Sequence, residues 1–140
     1  MNPIVVESRL AASPDVVWAR VSTMAGVNRE LMPLARMTSP RGFDRLDVVA
    51  VPLGEVLFRS WVLLFGFLPY DRHSLRFIKL DPGEAFHEES TSWAHRRWTH
   101  IRSLSPIDSG TRIRDEVSFE PRLPFLAPIL RPIIAAVFRH

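Results

Sequence analysis

The chain has 140 residues, of which 46% are hydrophobic, enough for one domain with a real core and too few for two. Lys+Arg number 18 against Asp+Glu 15, a net charge of only +3, and the basic residues are scattered from Arg9 to Arg139 with no run of three. That pattern argues against a phosphate-binding face and a nucleic-acid partner. There are no cysteines, which excludes disulfides, thiolate metal ligands and a cysteine nucleophile.

The N-terminus, Met1-Asn2-Pro3, reaches Glu7 and Arg9 without the basic start and long apolar run of a secretory signal. A cytoplasmic location is the expectation. Ile4 to Leu10 alternates as a strand, and Ser13-Pro14-Asp15 then opens a helix. Ser13 suits an N-cap, Pro14 the first helical position and Asp15 the positive end of the helix dipole. Val17, Trp18 and Val21 mark its inner face. A second helical piece is expected over Ala25 to Leu34, before Pro40-Arg41-Gly42 breaks the pattern. Phe43 to Leu53 reads equally as a strand or a helical insertion.

From Gly54 the period changes to two. Glu55 to Phe65, Arg72 to Leu80, Glu84 to Ser92, Ala94 to Leu104 and Arg112 to Pro121 are expected strands. Asp81-Pro82-Gly83 is a turn, and residues 105–110 form a longer hairpin loop. Short connections make the strands an antiparallel meander, closed by the first strand. The last segment reads as a helix through Leu126, Ile129, Leu130, Ile133, Ile134, Val137 and Phe138, with Pro132 expected to kink it. Trp61 to Pro69 and Leu123 to Phe138 are the most apolar stretches, and both are too short or too interrupted to span a bilayer. The second has a face wide enough for weak association with a membrane surface.

The strand-stop-helix opening, Phe58-Arg59-Ser60-Trp61 leading to Leu64-Phe65-Gly66, Phe86-His87-Glu88-Glu89-Ser90, Trp98-Thr99-His100 and Asp115 through Arg122 together resemble the SRPBCC or START-like superfamily. More closely, they resemble its small bacterial ligand-binding or polyketide cyclase/dehydrase-like members. The resemblance covers nearly the whole chain and implies an α+β helix-grip fold. In that fold a curved antiparallel sheet of six or seven strands wraps a C-terminal helix, two short helices follow the first strand, and a cavity for an apolar ligand lies between sheet and helix. The terminal helix is shorter than such proteins usually carry. No catalytic set is shared across the superfamily, and no cofactor is implied.

Site candidates come from alternation on the concave face. On the last strand Ile113, Asp115, Val117 and Phe119 share the inner face. Pairing about the 105–110 loop sets Ile101 beside Ile113 and Thr99 beside Asp115, which brings His95, Arg97 and Thr99 inward. Phe86 and Glu88 extend that face. The expected polar patch is Glu88, His95, Arg97 and Asp115, with Arg97 and Asp115 either a satisfied internal ion pair, a ligand-orienting group or part of an acid–base apparatus. Trp61 is either core or a stacking surface, and Leu130 and Ile134 present the helix to the cavity. His87 and Glu88 point to opposite faces of a strand, so no metal site is expected. Three functions follow: binding of a hydrophobic or amphipathic molecule; a cyclase/dehydrase-like enzyme using Glu88, His95 or Asp115; or an interaction module with a filled core, pairing through Trp61 to Pro69, for example as a homodimer.

Overall fold

The computed structural model describes residues 3–41 and 53–139. Strand β1 (Ile4–Leu10) leads into helices α1 (Pro14–Val21) and α2 (Met24–Leu31) and a short strand β2 (Ala35–Met37). Five long strands follow: β3 (Val56–Leu64), β4 (Leu68–Asp81), β5 (Ala85–Ser92), β6 (His95–Ile107) and β7 (Gly110–Pro121). A single 3-10 turn (Pro124–Leu126) then enters helix α3 (Ala127–Arg139). The strands form one antiparallel sheet in the order β1-β7-β6-β5-β4-β3-β2, so the meander from β2 to β7 is closed by β1. This is the α+β helix-grip fold.

Local chemistry explains the early elements, with one departure from expectation. Ser13 stands at the N-cap of α1, yet its side chain makes no capping bond, and only its carbonyl accepts from the Val17 amide at 3.0 Å. The effective cap is Thr23, whose hydroxyl accepts from the Gly26 amide at 2.9 Å to start α2. Gly26 is required by close approach, since a Cβ there would lie 1.8 Å from the Arg20 carbonyl oxygen. Asn28 then grips β2 from α2: its amide nitrogen donates to the Met37 carbonyl (3.0 Å), and its amide oxygen accepts from the Met37 amide (2.7 Å). β2 is too short to read from sequence. The ambiguous stretch from Phe43 to Pro52 lies outside the described residues.

Three buried clusters pack the helices onto the concave side. Val17, Trp18 and Val21 of α1 pack on Leu104 and Ile113. Met24 of α2 packs with Phe58, Leu75 and Phe77. Ala135 of α3 packs on Ile4, Val6, Val117 and Phe119, flanked by Leu130, Ile134 and Phe138. Helix α3 therefore lies over the β1–β7 side of the sheet, with Phe138 reaching Trp98 and His100 of β6. It runs on through Pro132 as one helix, although the missing N–H leaves the Pro128 carbonyl without its usual donor. Among the described residues no helix is long and apolar enough to cross a membrane.

The β6–β7 hairpin differs from expectation in a way that changes the site. β6 continues through Pro106 to pair Ile107 with Gly110, leaving a two-residue turn in place of the expected longer loop. Gly110 has φ +145° and a Cβ there would meet the Leu10 carbonyl oxygen at 2.0 Å. Ile113 now faces Leu104 rather than Ile101, a shift of three residues. An odd shift turns every side chain of the strand to the other face. Inward on β6 are Trp98, His100, Arg102 and Leu104, while Arg97 and Thr99 lie on the outer, convex face. His95 stays buried only because an irregularity between His95 and Arg97 resets the alternation.

Candidate functional site

Between α2, α3 and the concave face of β2 to β6 lies a cavity of about 370 Å³. Val27 and Leu31 of α2, Val62 and Leu64 of β3, Leu75 and Phe77 of β4, Phe86 of β5 and Trp98 of β6 contribute apolar wall. Leu130, Ile134, Val137 and Phe138 of α3 close it. Aromatic edges tighten the floor: Phe77 meets Phe86 edge-on at 5.6 Å, and Trp98 stacks with Phe138 at 6.4 Å.

Two charged groups are set into this apolar wall. Arg102 reaches two carboxylates at once: its Nε and one Nη donate to Asp115 at 2.6 and 3.1 Å, and its two Nη groups donate to Glu30 of α2 at 3.0 and 2.7 Å. His100 Nε2 lies 2.8 Å from the same Asp115 oxygen. On the neighbouring strands His73 Nε2 lies 2.5 Å from Glu88, which also accepts from the Ser90 hydroxyl at 2.6 Å. His73, Glu88, His100, Arg102 and Asp115 are all buried, so pairing replaces lost hydration.

The titration behaviour follows from that pairing. Burial pushes Asp115 and Glu88 upward, but the pairing outweighs it. The His100 and Arg102 hydrogen bonds and charges hold Asp115 below the usual carboxylate range, and the His73 charge and hydrogen bond, with His100 and Ser90, do the same for Glu88. Arg102 is desolvated, yet the two carboxylates hold its proton more firmly than usual. His95 is pushed down, first by burial and then by His73, against an opposing pull from Asp71. Its Nδ1 is buried with no hydrogen-bond partner, and its ring packs against Trp98 and Phe119.

Acid lability should accordingly come in two limbs. His95 has a lowered folded pKa, so stability falls as pH drops below the ordinary histidine value of 6.5, where the unfolded chain binds the proton more readily. Asp115 and Glu88 have lowered pKa values, so their contribution is complete above about pH 5 and is lost as pH falls further through their folded values. Urea midpoints measured across this range should show both limbs, and His95→Phe should remove the first alone. A midpoint flat between pH 7 and about 5 would contradict the His95 assignment.

The sequence-derived candidates divide clearly in space. Phe86, Glu88, His95, Leu130 and Ile134 line the cavity. Asp115 sits one layer behind it, held by the cavity-lining His100 and Arg102. Val117 and Phe119 are core beneath α3, each 1% exposed. Arg97 and Thr99 are corrected to the convex face, so the partner of Asp115 is Arg102 and not Arg97. Trp61 is also convex, standing edge-on to Trp93 at 5.1 Å under the Arg72 guanidinium. Sequence reasoning missed Glu30, His73, His100 and Arg102. The signal for the last two was present, since Trp98 and Leu104 share their parity. His73 alternates in the same way with Leu75 and Phe77.

Residues 8–140 match the model of a family described as a domain of unknown function, DUF8410. The chain belongs to this family. A comparison with curated proteins gave no match. Among solved structures, this DUF8410 domain is similar to protein CV1439 from Chromobacterium violaceum, with 16% identity and a TM-score of 0.67 over 100% of this chain and 99% of that one. It is similar to Ara h 8.0201, with 13% identity and a TM-score of 0.58 over 98% and 92%. It is also similar to DynU16, a protein of the dynemicin biosynthetic locus, with 12% identity and a TM-score of 0.60, covering 99% of this chain and 46% of that one. At these identities the likeness is one of fold.

Proposed function

We propose that this DUF8410 domain binds one small hydrophobic or amphipathic molecule, lipid- or polyketide-like, in the cavity between sheet and α3. The observation that carries the reading is an interior space of about 370 Å³ with an apolar wall and its buried charges already paired to one another. A volume of that size suits a small molecule, and a wall with few polar groups favours apolar surface over a charged ligand. The fold shared with DynU16, from a biosynthetic locus, supports a small-molecule occupant. The paired charges act as fixed dipoles that orient the ligand's polar end.

A second reading, a cyclase/dehydrase-like enzyme, is favoured by one observation: His73 and Glu88 form a hydrogen-bonded pair on the cavity wall itself. Because Glu88 is held below the usual carboxylate range, it is a poor base. In this reading it orients His73, which moves the proton.

Native mass spectrometry of the protein purified from its own host tests both. Binding predicts a one-to-one complex whose released molecule is apolar and leaves unchanged. The enzyme reading predicts release of a molecule altered in mass or connectivity on incubation, lost in His73→Phe. A protein that is bare after purification, and stays bare when offered host lipid extract, contradicts both.

A further inference from the structure

We propose that the convex face of the sheet carries a separate anion site, built from Arg59, Arg72 and Arg122, that takes a small phosphomonoester bearing a flat ring. The strand register assembles it. Arg59, Ser74 and Thr91 lie in one row across β3, β4 and β5, because Arg59 pairs with Ser74 and Ser74 with Thr91. Two residues further, on the same face, lie Trp61 of β3, Arg72 of β4 and Trp93 just past the end of β5. Trp61 pairs with Arg72, and the Trp93 amide donates to the Arg72 carbonyl at 3.3 Å. Arg122 enters from the end of β7, where its amide donates to Ala94 and its Nε to the Ser92 carbonyl at 3.0 Å. These residues enclose a recess of about 260 Å³.

Three features point to a ligand of this class. First, three guanidiniums share this recess and, among the described residues, no carboxylate forms an ion pair with Arg59, Arg72 or Arg122. Second, two of the three guanidiniums are oriented by the fold. Arg72 lies 4.7 Å over the Trp61 ring, and Arg122 is fixed through its Nε, which leaves its Nη groups to donate. Three guanidiniums with the Ser74 and Thr91 hydroxyls match the several oxygens of a phosphoryl group. Third, Trp93 is 65% exposed at the rim, in a T-shaped contact with Trp61, and presents exposed indole surface to a planar ring.

This site is on the opposite face of the sheet from the cavity and stands independently of it. The test is titration of the full chain with phenyl phosphate, followed by tryptophan fluorescence and by the phosphorus NMR shift of the ligand, with sodium chloride at matched ionic strength as control. Saturable one-to-one binding is expected, weakened roughly tenfold by R72Q and by R59Q. Arg59 is exposed, so R59Q keeps the test valid should R72Q disturb the Trp61 stack, and urea midpoints verify folding of both. No saturable response, an equal response to chloride, or binding unchanged in both variants overturns the proposal. Co-sedimentation with phosphatidic acid vesicles without phenyl phosphate binding overturns it in favour of a lipid surface.

Discussion

Arg102→Met is expected to lower folding stability by about 3–5 kcal/mol, the usual cost of removing one partner from a buried ion pair. Arg102 is 5% exposed and Asp115 2%, and the guanidinium makes two of the bonds that keep that carboxylate ionised in the interior. Methionine retains much of the apolar stem but leaves Asp115 with His100 alone. Glu30, whose side chain is 40% exposed, can turn to water, so the loss falls mainly on Asp115. With total stabilities of small domains near 5–15 kcal/mol, the variant should unfold at markedly lower urea. The double variant R102M/D115N removes both charges while keeping a polar group opposite His100. It should be distinctly more stable than the sum of its single variants implies, the mark of direct coupling. A loss below about 1 kcal/mol in R102M would show that the network contributes little to the fold.

The reason Arg102 escaped a reading of the sequence is instructive. Alternation on β7 was legible: Ile113, Val117 and Phe119 identify the inner face without a partner strand, and Asp115 is anomalous on it. The identity of its partner depends on the hairpin register, and register depends on turn length. Pro106 with Gly110 suggested a loop, because proline is poor in central strands, yet here β6 pairs through Pro106 and the turn contracts to Asp108-Ser109. That contraction moved Arg97 and Thr99 to the convex face and brought His100 and Arg102 inward. The fold was robust to the same error, since strand order depends on which strands are consecutive and not on their register. Trp61 illustrates the limit of composition: four tryptophans suggest core or stacking surfaces, and only parity along β3 sends Trp61 outward while Val62 and Leu64 face the cavity. Glu30 could not be placed from alternation at all, because its role depends on how α2 crosses the sheet.

Val62→Trp is expected to weaken ligand binding at least about tenfold with little effect on folding. Val62 projects from β3 into the cavity, so an indole there occupies existing space instead of displacing packed neighbours. Overpacking a filled core costs about 1–3 kcal/mol, and a site with open volume should cost less. A ligand would have to expel the new ring, losing the apolar burial that drives binding. The substitution lies on the opposite face of β3 from Arg59 and Trp61, so binding of an anion on the convex side should be unaffected.

The most direct measurement is therefore a titration of wild type and V62W with Nile red, a neutral dye that the convex arginines do not attract. Wild type should show one saturable site with enhanced emission, and V62W should bind at least about tenfold more weakly at a near-unchanged urea midpoint. No saturable binding to wild type, or equal binding to both, would contradict the assignment of this cavity as the ligand site.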